Sequence, residues 1–282
     1  MPEVRSPTLR RRELGALLRA HRLDLGLTVD QVAERLLCSP SKVSRMETGQ
    51  RGATQRDVRD LCALYGITGE EECTRLMTLA REGKQQGWWQ PFELPYSTYV
   101  GLEQETLSMK IYQSAVVPGL LQAGNYARAV HRAWVPEFDP QVIEQRIEER
   151  TTRRQLLTRP DSPRIAIVLD EAVLLRPIGG PAAMYEQLGM ILEICEQPNV
   201  TVQIMPFAAG AHPALESDFV ILNFGRTPSV VYVEGLVGQI YLDRVQDVQR
   251  YLQVFDRLCV MALSPKDSTD LMIKVRETYN ND

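Results

Sequence analysis

Hydrophobic residues in the first 84 positions recur every three to four residues, with short polar or glycine-containing breaks between the apolar stretches. This spacing is typical of amphipathic helices that turn one face inward. Capping signals divide the segment into five predicted helices, which are residues 9–25, a helix that begins after Thr28, a helix from Ser39 to Gly49, a helix between Thr54 and Gly66, and a helix from Thr68 to about Lys84. We therefore expect residues 1–84 to form an all-α domain.

The hydrophobic pattern changes in the second half of the chain, where short continuous apolar runs appear. Residues 165–169 and 200–205 are such runs, and the amphipathic segment 182–196 between them predicts a helix. The succession of strand, helix and strand predicts a parallel pair joined by a crossover. Residues 219–224 and 229–233 flank a Gly-Arg-Thr-Pro turn signal, which predicts an antiparallel hairpin.

Further helices are predicted around that sheet. Their ranges are about 120–134, 140–158 and 243–263, with a last helix after Ser264, while residues 109–118 fit either a short helix or a strand. In the helix at 140–158, arginines and glutamates mostly three or four apart predict a salt-bridged outer face. We expect residues 101–282 to form an α/β domain with a mixed sheet, so that the whole chain is α+β.

Residues 28–49 contain two helix starts in close succession. Thr28 with Gln31 three residues later forms a capping box, and Ser39 before Pro40 is an N-cap followed by proline at the first helical position. Gly49 is a C-cap for the second helix. Two short capped helices joined by a tight turn are a helix-turn-helix unit, whose second helix lies in the major groove of DNA.

The predicted second helix turns small polar and basic side chains outward. Arg45 can bind guanine through two hydrogen bonds, Lys42 can reach a base or a phosphate, and both Ser41 and Ser44 can contact either of these. Capping residues and the loop that follows the helix suit phosphate binding. The predicted DNA-contacting residues are Thr28, Gln31, Ser39, Ser41, Lys42, Ser44, Arg45 and Arg51.

The distribution of charge supports this interpretation. The chain as a whole is acidic, with a net charge of −4. Residues 1–59 nevertheless carry twelve basic and seven acidic side chains, whereas residues 85–282 carry seventeen basic and twenty-four acidic side chains. A basic front followed by an acidic body is typical of a protein that presents one end to nucleic acid.

The first 84 residues resemble the XRE, or lambda-repressor-like, helix-turn-helix domain. The resemblance rests on Leu27-Thr-Val-Asp-Gln-Val-Ala33, on Ser39-Pro-Ser-Lys-Val-Ser-Arg-Met-Glu-Thr-Gly49 and on Arg51-Gly-Ala-Thr54. It implies a five-helix fold in which Gln31, Ser41, Lys42, Ser44 and Arg45 face DNA. It also implies that Glu47 is a structural partner.

Residues 85–100 break the helical pattern with two prolines and five aromatic side chains, which are Trp88, Trp89, Phe92, Tyr96 and Tyr99. Such a composition is unlike a flexible linker. The expectation that we favour is an aromatic connector whose rings fasten it onto the second domain, because aromatic side chains bury large areas. The alternative is that these five residues form one wall of a ligand pocket.

The second half is similar to the domain of unknown function, described as Scr-type antitoxin-like, that follows an XRE domain in many actinomycete regulators. The matching segments are Val117-Pro-Gly-Leu-Leu-Gln122 with Tyr126-Ala127, Leu169-Asp-Glu-Ala-Val-Leu174 with Arg176, Pro198-Asn-Val-Thr-Val202, Pro206-Phe207 with Gly210-Ala-His-Pro213, and Val231-Tyr-Val-Glu234. This resemblance implies a regulatory architecture and leaves the chemistry undefined.

One constellation invites a catalytic interpretation. Asp170 and Glu171 follow a predicted strand, and His212 lies on a later loop. Neighbouring strand residues point to opposite faces, however, and a carboxylate before a helix is an ordinary cap. The three histidines lack metal-ligand spacing, and no glycine-rich phosphate loop is present. We therefore expect no enzyme activity, no catalytic residues, no metal and no cofactor.

Two functions fit these patterns. The first is a cytoplasmic transcriptional regulator that binds a double-stranded DNA operator as a homodimer, with a second domain for dimerisation or for response to a small-molecule effector or protein. The cysteine pattern and the lack of a signal peptide or a long apolar stretch agree with a cytoplasmic protein that is not in a membrane. The alternative is an antitoxin-like interaction module that neutralises a small neighbouring-gene protein and regulates its own operon.

Overall fold

The computed structural model describes residues 6–134, 139–225 and 227–280 of the chain. Two compact units are present, Met1–Glu105 and Thr106–Asp282. No helix within the described ranges is long and apolar enough to cross a membrane. Together, the helical first unit and the sheet-containing second unit confirm the predicted α+β class.

From residue 6 onward, the first unit consists of helices joined by turns and loops. Its helices are α1 (Pro7–Asp24), α2 (Val29–Arg35), α3 (Pro40–Glu47), α4 (Gln55–Tyr65), α5 (Glu70–Glu82) and α6 (Ser97–Glu103). Apolar side chains from α1 to α5 form one core, in which Leu14, Leu18, Val43 and Val58 are buried. The five predicted helices thus lie where the 3.6-residue spacing placed them, with ends shifted by about two residues.

We expected the connector, residues 85–100, to pack onto the second domain. The structure instead places it in the first unit. Trp89 is 4% exposed. Gly101 of α6 lies so close to Thr8 of α1 and to the Trp89 ring that no side chain fits there. The helical unit therefore continues to Glu105 and does not end at residue 84. Packing of a sixth helix decides this boundary, which the change in composition at residue 85 does not reveal.

The second unit is built on one six-stranded mixed sheet. Its strands are β1 (Ser108–Gln113), β2 (Arg164–Asp170), β3 (Val200–Met205), β4 (Phe219–Asn223), β5 (Val230–Gly235) and β6 (Gly238–Leu242), in the spatial order β3-β2-β1-β4-β5-β6. The predicted parallel pair is present as β2 and β3, and the predicted hairpin as β4 and β5. Position 226 of the predicted hairpin turn lies outside the described residues.

The sequence left one strand ambiguous and missed another. The segment that fitted a helix or a strand forms β1, which lies at the centre of the sheet, parallel to β2 and antiparallel to β4. β6 was missed because the two residues that connect it to β5, Leu236 and Val237, carry no turn signal. Short runs of this kind acquire a secondary structure through their neighbours, since their own spacing is ambiguous.

The helices of the second unit are α7 (Gly124–Trp134), α8 (Pro140–Arg154), α9 (Ala172–Leu175), α10 (Pro181–Cys195), α11 (Val245–Met261) and α12 (Pro265–Thr278). Helix α11 covers one face of the sheet through Phe255 and Leu258. The predicted salt-bridged face of α8 is not entirely on the outside, because Glu149 and Arg153 are both buried. The Arg153 guanidinium donates to the Glu149 carboxylate at 3.1 Å, so this pair is internal.

Candidate nucleic-acid interface

Helices α2 and α3 begin where the capping signals predicted. The Thr28 hydroxyl accepts a hydrogen bond from the Gln31 amide at 3.2 Å, and the Gln31 side chain accepts one from the Thr28 amide at 2.9 Å. The Ser39 hydroxyl accepts a hydrogen bond from the Lys42 amide at 3.2 Å, with Pro40 at the first helical position. These local bonds define both helix starts.

The turn between α2 and α3 is closed by backbone hydrogen bonds. The Leu37 amide donates to the Glu34 carbonyl and the Cys38 amide donates to the Ala33 carbonyl. This pattern places Leu37 in the left-handed region, at φ +51°, with its side chain 94% exposed. A glycine is the usual residue at such a position, so the sequence carries no signal for a left-handed residue at Leu37.

Helix α3 is bound to α1 by a buried ion pair. The Arg22 guanidinium donates to both oxygens of Glu47, at 2.6 and 2.8 Å, and its remaining nitrogen donates to the Leu27 carbonyl at 2.8 Å. The hydrogen bonds with Glu47 raise the pKa of Arg22 above its ordinary value. The backbones of α1 and α3 are also in close contact. A Cβ atom at Gly15 of α1 would overlap the carbonyl oxygen of Met46, so only glycine allows this approach. Glu47 is therefore a structural partner, as its family resemblance implied.

The outward face of α3 presents Ser41, Ser44 and Arg45, all of which are exposed. Their spacing of three and four residues puts them on one side of the helix. The Arg45 side chain donates to the Ser41 carbonyl at 3.3 Å, and the Arg51 amide donates to the Arg45 carbonyl at 2.9 Å. Arg51 is also exposed, and this backbone bond keeps its main chain at the end of α3.

The helix-capping residues predicted to contact phosphate are Thr28, Gln31 and Ser39, and all three are exposed. Their side-chain oxygens already accept the capping hydrogen bonds. A hydroxyl or primary amide also carries hydrogen-bond donors, which suit a phosphate oxygen. Contact between these residues and DNA stays a prediction, as it does for the outward face of α3.

Lys42 differs from its predicted neighbours. Its ammonium lies 2.6 Å from a carboxylate oxygen of Asp57, the third residue of α4. The side chains of Lys42 and Asp57 are only 26% and 16% exposed. No local signal in the sequence pairs Asp57 with a lysine fifteen positions earlier.

Three of the aromatic residues of the connector contact one another. Trp88 lies edge-on to Trp89, at 5.9 Å between ring centroids, and edge-on to Phe92, at 6.0 Å. Tyr99 is buried in α6, and Tyr96 directly precedes this helix. A ligand pocket walled by these residues stays a prediction.

In the second unit, the structure brings Asp170 and His212 together and leaves Glu171 apart. The imidazole Nε2 of His212 lies 3.8 Å from an Asp170 carboxylate oxygen and 3.4 Å from the Tyr112 hydroxyl. Glu171 instead accepts a hydrogen bond from the Phe207 amide at 2.7 Å. The two carboxylates thus contact different parts of the connection between β3 and β4. Within the described ranges, no three His, Cys, Asp or Glu side chains are grouped to hold a metal ion.

The segment Val117–Gln122 is an internally hydrogen-bonded loop after β1. The Val117 amide donates to the Tyr126 hydroxyl at 3.0 Å, and the Gln122 side chain donates to the Val117 carbonyl at 2.8 Å. Arg150 of α8 donates to Gln122 at 2.9 Å, and Gln187 of α10 accepts from the Ala123 amide at 2.7 Å. The polar residues of this segment therefore stabilise the loop between β1 and α7.

Comparisons with known proteins find one family match in each half of the chain, and the second match begins at residue 96, within the first unit. Residues 13–73 match the model of a helix-turn-helix domain, and residues 96–274 match that of a domain of unknown function, DUF5753. No curated protein and no solved structure matches the chain. The helix-turn-helix match supports a DNA-binding regulator. Since the second match covers more than half of the sequence, the chain belongs to the DUF5753 family and carries an XRE-type helix-turn-helix domain at its amino-terminal end.

Proposed function

We propose that this protein is a sequence-specific transcriptional regulator that reads operator DNA with helix α3. One observation carries the proposal: helix α3 has an exposed polar and basic face and is attached to α1 by a buried ion pair. Ser41, Ser44 and Arg45 share this face, while the Arg22–Glu47 pair attaches the same helix to α1. A recognition helix needs this combination, because base contacts require side chains held at a defined depth in the groove.

In this proposal, the contacts divide into two classes. Arg45 binds a guanine through two hydrogen bonds, and Ser41 and Ser44 contact neighbouring base edges. Arg51 and the capping residues bind phosphates, which sets the position of the domain along the duplex. The basic excess of residues 1–59 adds attraction that does not depend on the DNA sequence.

The regulator acts as a homodimer on two half-sites in the proposed function. One chain supplies one recognition helix, whereas helix-turn-helix operators usually contain two half-sites about 34–36 Å apart. The second unit then provides dimerisation, effector sensing or partner binding. An antitoxin-like role toward a small protein stays an alternative prediction, with co-purification of a stoichiometric small protein as its test.

Selection of bound duplexes from random DNA by the full chain tests the proposed function. Selection at two salt concentrations separates sequence-specific from electrostatic binding. We expect an enriched motif with two related half-sites about one helical turn apart. The Arg45→Ala variant should bind this operator with roughly 1–3 kcal/mol less free energy and should lose preference at one base pair of each half-site.

Two further variants complete the experiment. Arg51→Ala should weaken binding about equally on all sequences, because a phosphate contact carries no base information. Arg81→Ala, at an exposed position in the last turn of α5, is the matched control and should leave operator affinity unchanged. Unchanged affinity and base preference in Arg45→Ala would remove α3 as the recognition helix.

A further inference from the structure

Asp57 holds the one lysine of helix α3. One oxygen of its carboxylate lies 2.6 Å from the Lys42 ammonium. The other oxygen accepts hydrogen bonds from the Thr54 amide at 2.8 Å and from the Thr54 hydroxyl at 2.7 Å. The Asp57 amide in turn donates to the Thr54 hydroxyl at 3.0 Å, which completes a capping box at the start of α4. Asp57 is thus fixed by its own helix before it contacts Lys42.

The Asp57 carboxylate is stabilised in its charged form. Burial acts to raise its pKa, but hydrogen bonds from Lys42 and Thr54 outweigh burial and hold the pKa of Asp57 below its ordinary value. The amino-terminal end of α4 also favours a negative charge at this position. At neutral pH the pair therefore consists of one positive and one negative charge, and its net charge is zero.

Moving Lys42 onto a DNA phosphate would carry a penalty. Asp57, with only 16% of its side chain exposed, would lose its cationic partner while phosphates approach the same side of the unit. An unpaired, partly buried carboxylate is unfavourable, and repulsion between like charges adds to this cost. Arg45 and Arg51, in contrast, are exposed on α3 and the loop after it.

We propose that Asp57 is a specificity-determining residue: by holding the Lys42 ammonium on the protein, it keeps this cation from the DNA phosphates and limits binding that is independent of sequence. The inference rests on the proposed function, because it assigns a role within the same DNA-binding face. A lysine on a phosphate would strengthen binding to operator and non-operator DNA alike. Because Asp57 keeps Lys42 from the phosphates, base contacts supply a larger share of the binding free energy.

The dependence of affinity on salt measures how many cations contact phosphates. On double-stranded DNA, each phosphate contact contributes a slope of about −0.9 to the logarithm of the binding constant against the logarithm of salt concentration. The full-chain protein is titrated with a random-sequence duplex and with the selected operator between 50 and 200 mM salt. The Asp57→Asn variant keeps an oxygen that can accept the Thr54 hydrogen bonds while it removes the charge that holds Lys42.

We expect the slope of Asp57→Asn to be steeper than that of the wild type by about 0.9 on both duplexes. Over this fourfold range of salt, its affinity should fall by a further factor of about 3.5 relative to the wild type. The double variant Lys42→Met/Asp57→Asn removes both charges and should return to the wild-type slope. A merely structural role for Asp57 would change affinity without this reversible change in slope.

Two outcomes would overturn the inference. One is an Asp57→Asn slope equal to that of the wild type, and the other is a double-variant slope shallower than the wild type by about 0.9, which would mean that Lys42 already contacts a phosphate. If Asp57→Asn fails to fold, the single variant Lys42→Met decides. We expect its slope to equal that of the wild type, and a slope shallower by about 0.9 would contradict the inference. A wild-type protein that binds neither duplex would instead refute the proposed function.

Discussion

Replacement of Glu47 by alanine should destabilise the first unit far more than removal of an exposed partner in another ion pair. In the wild type, Glu47 accepts two hydrogen bonds from Arg22, and the two side chains are 6% and 9% exposed. Glu47→Ala leaves the guanidinium buried with the Leu27 carbonyl as its remaining partner in this set of three bonds. Breaking a buried pair from one side costs roughly 3–5 kcal/mol.

We expect a loss of about 3 kcal/mol, at the lower end of that range, because both side chains keep a small contact with solvent. Arg56 and Asp60 of α4 provide the matched comparison. Their atoms are 3.8 Å apart at i and i+4, and the side chains are 89% and 50% exposed. An exposed pair of this kind contributes at most about 0.5 kcal/mol, so Asp60→Ala should have little effect.

Native-state hydrogen exchange of the full chain, read by mass spectrometry, measures this difference. It reports the opening of the first unit without requiring the two units to unfold together. Amides of α1 and α3 that exchange through opening of the unit should lose about two orders of magnitude of protection in Glu47→Ala. The double variant Arg22→Met/Glu47→Leu should recover part of the loss, because no charge remains buried. Equal protection in Glu47→Ala and Asp60→Ala would refute a stabilising role for the buried pair.

Two further predictions concern a backbone strain and a buried imidazole. Leu37→Gly should stabilise the first unit by about 1 kcal/mol, because Leu37 is exposed and lies in the left-handed region. Gly66 also lies in this region, at φ +67° with open space around it, so Gly66→Ala should destabilise the unit. The same hydrogen-exchange measurement checks both variants. No gain in Leu37→Gly would contradict the strain. Burial lowers the pKa of His131 to about 4, so the unfolded chain binds more protons between about pH 6.5 and pH 4 and stability falls as the pH decreases through this window. Scanning calorimetry measures the drop in Tm between pH 7.5 and pH 5. This drop should be smaller in His131→Leu than in the wild type, but unchanged in the control His21→Gln, because His21 is more exposed. An unchanged drop in His131→Leu would contradict the role of His131 in the loss of stability.

Local signals predicted the first five helices of the first unit well. Thr28 and Thr54 each start a helix through bonds to the residue three positions later, and Gly66 ends one in the left-handed region. These interactions depend on a few consecutive residues, so they can be read from the chain. The match to a helix-turn-helix domain over residues 13–73 confirms the helix-turn-helix interpretation of that range.

Local signals were less informative where a segment depends on distant neighbours. The spacing in residues 109–118 fits either a helix or a strand. Pairing with β2 on one side and β4 on the other decides that β1 forms there. The charges of α8 had the spacing of a solvated face, yet Glu149 and Arg153 are internal. Spacing along a helix identifies which side chains share a face, but the surrounding elements decide whether that face is buried.

The same division applies to the candidate DNA-binding face. The sequence by itself determined the two capped helices and the outward direction of Ser41, Ser44 and Arg45, because both follow from local hydrogen bonds and from the 3.6-residue period. Only the tertiary structure decided that Lys42 pairs with Asp57 and that Glu47 pairs with Arg22. A long charged side chain can reach many partners, and the packing of helices distant in sequence selects among them.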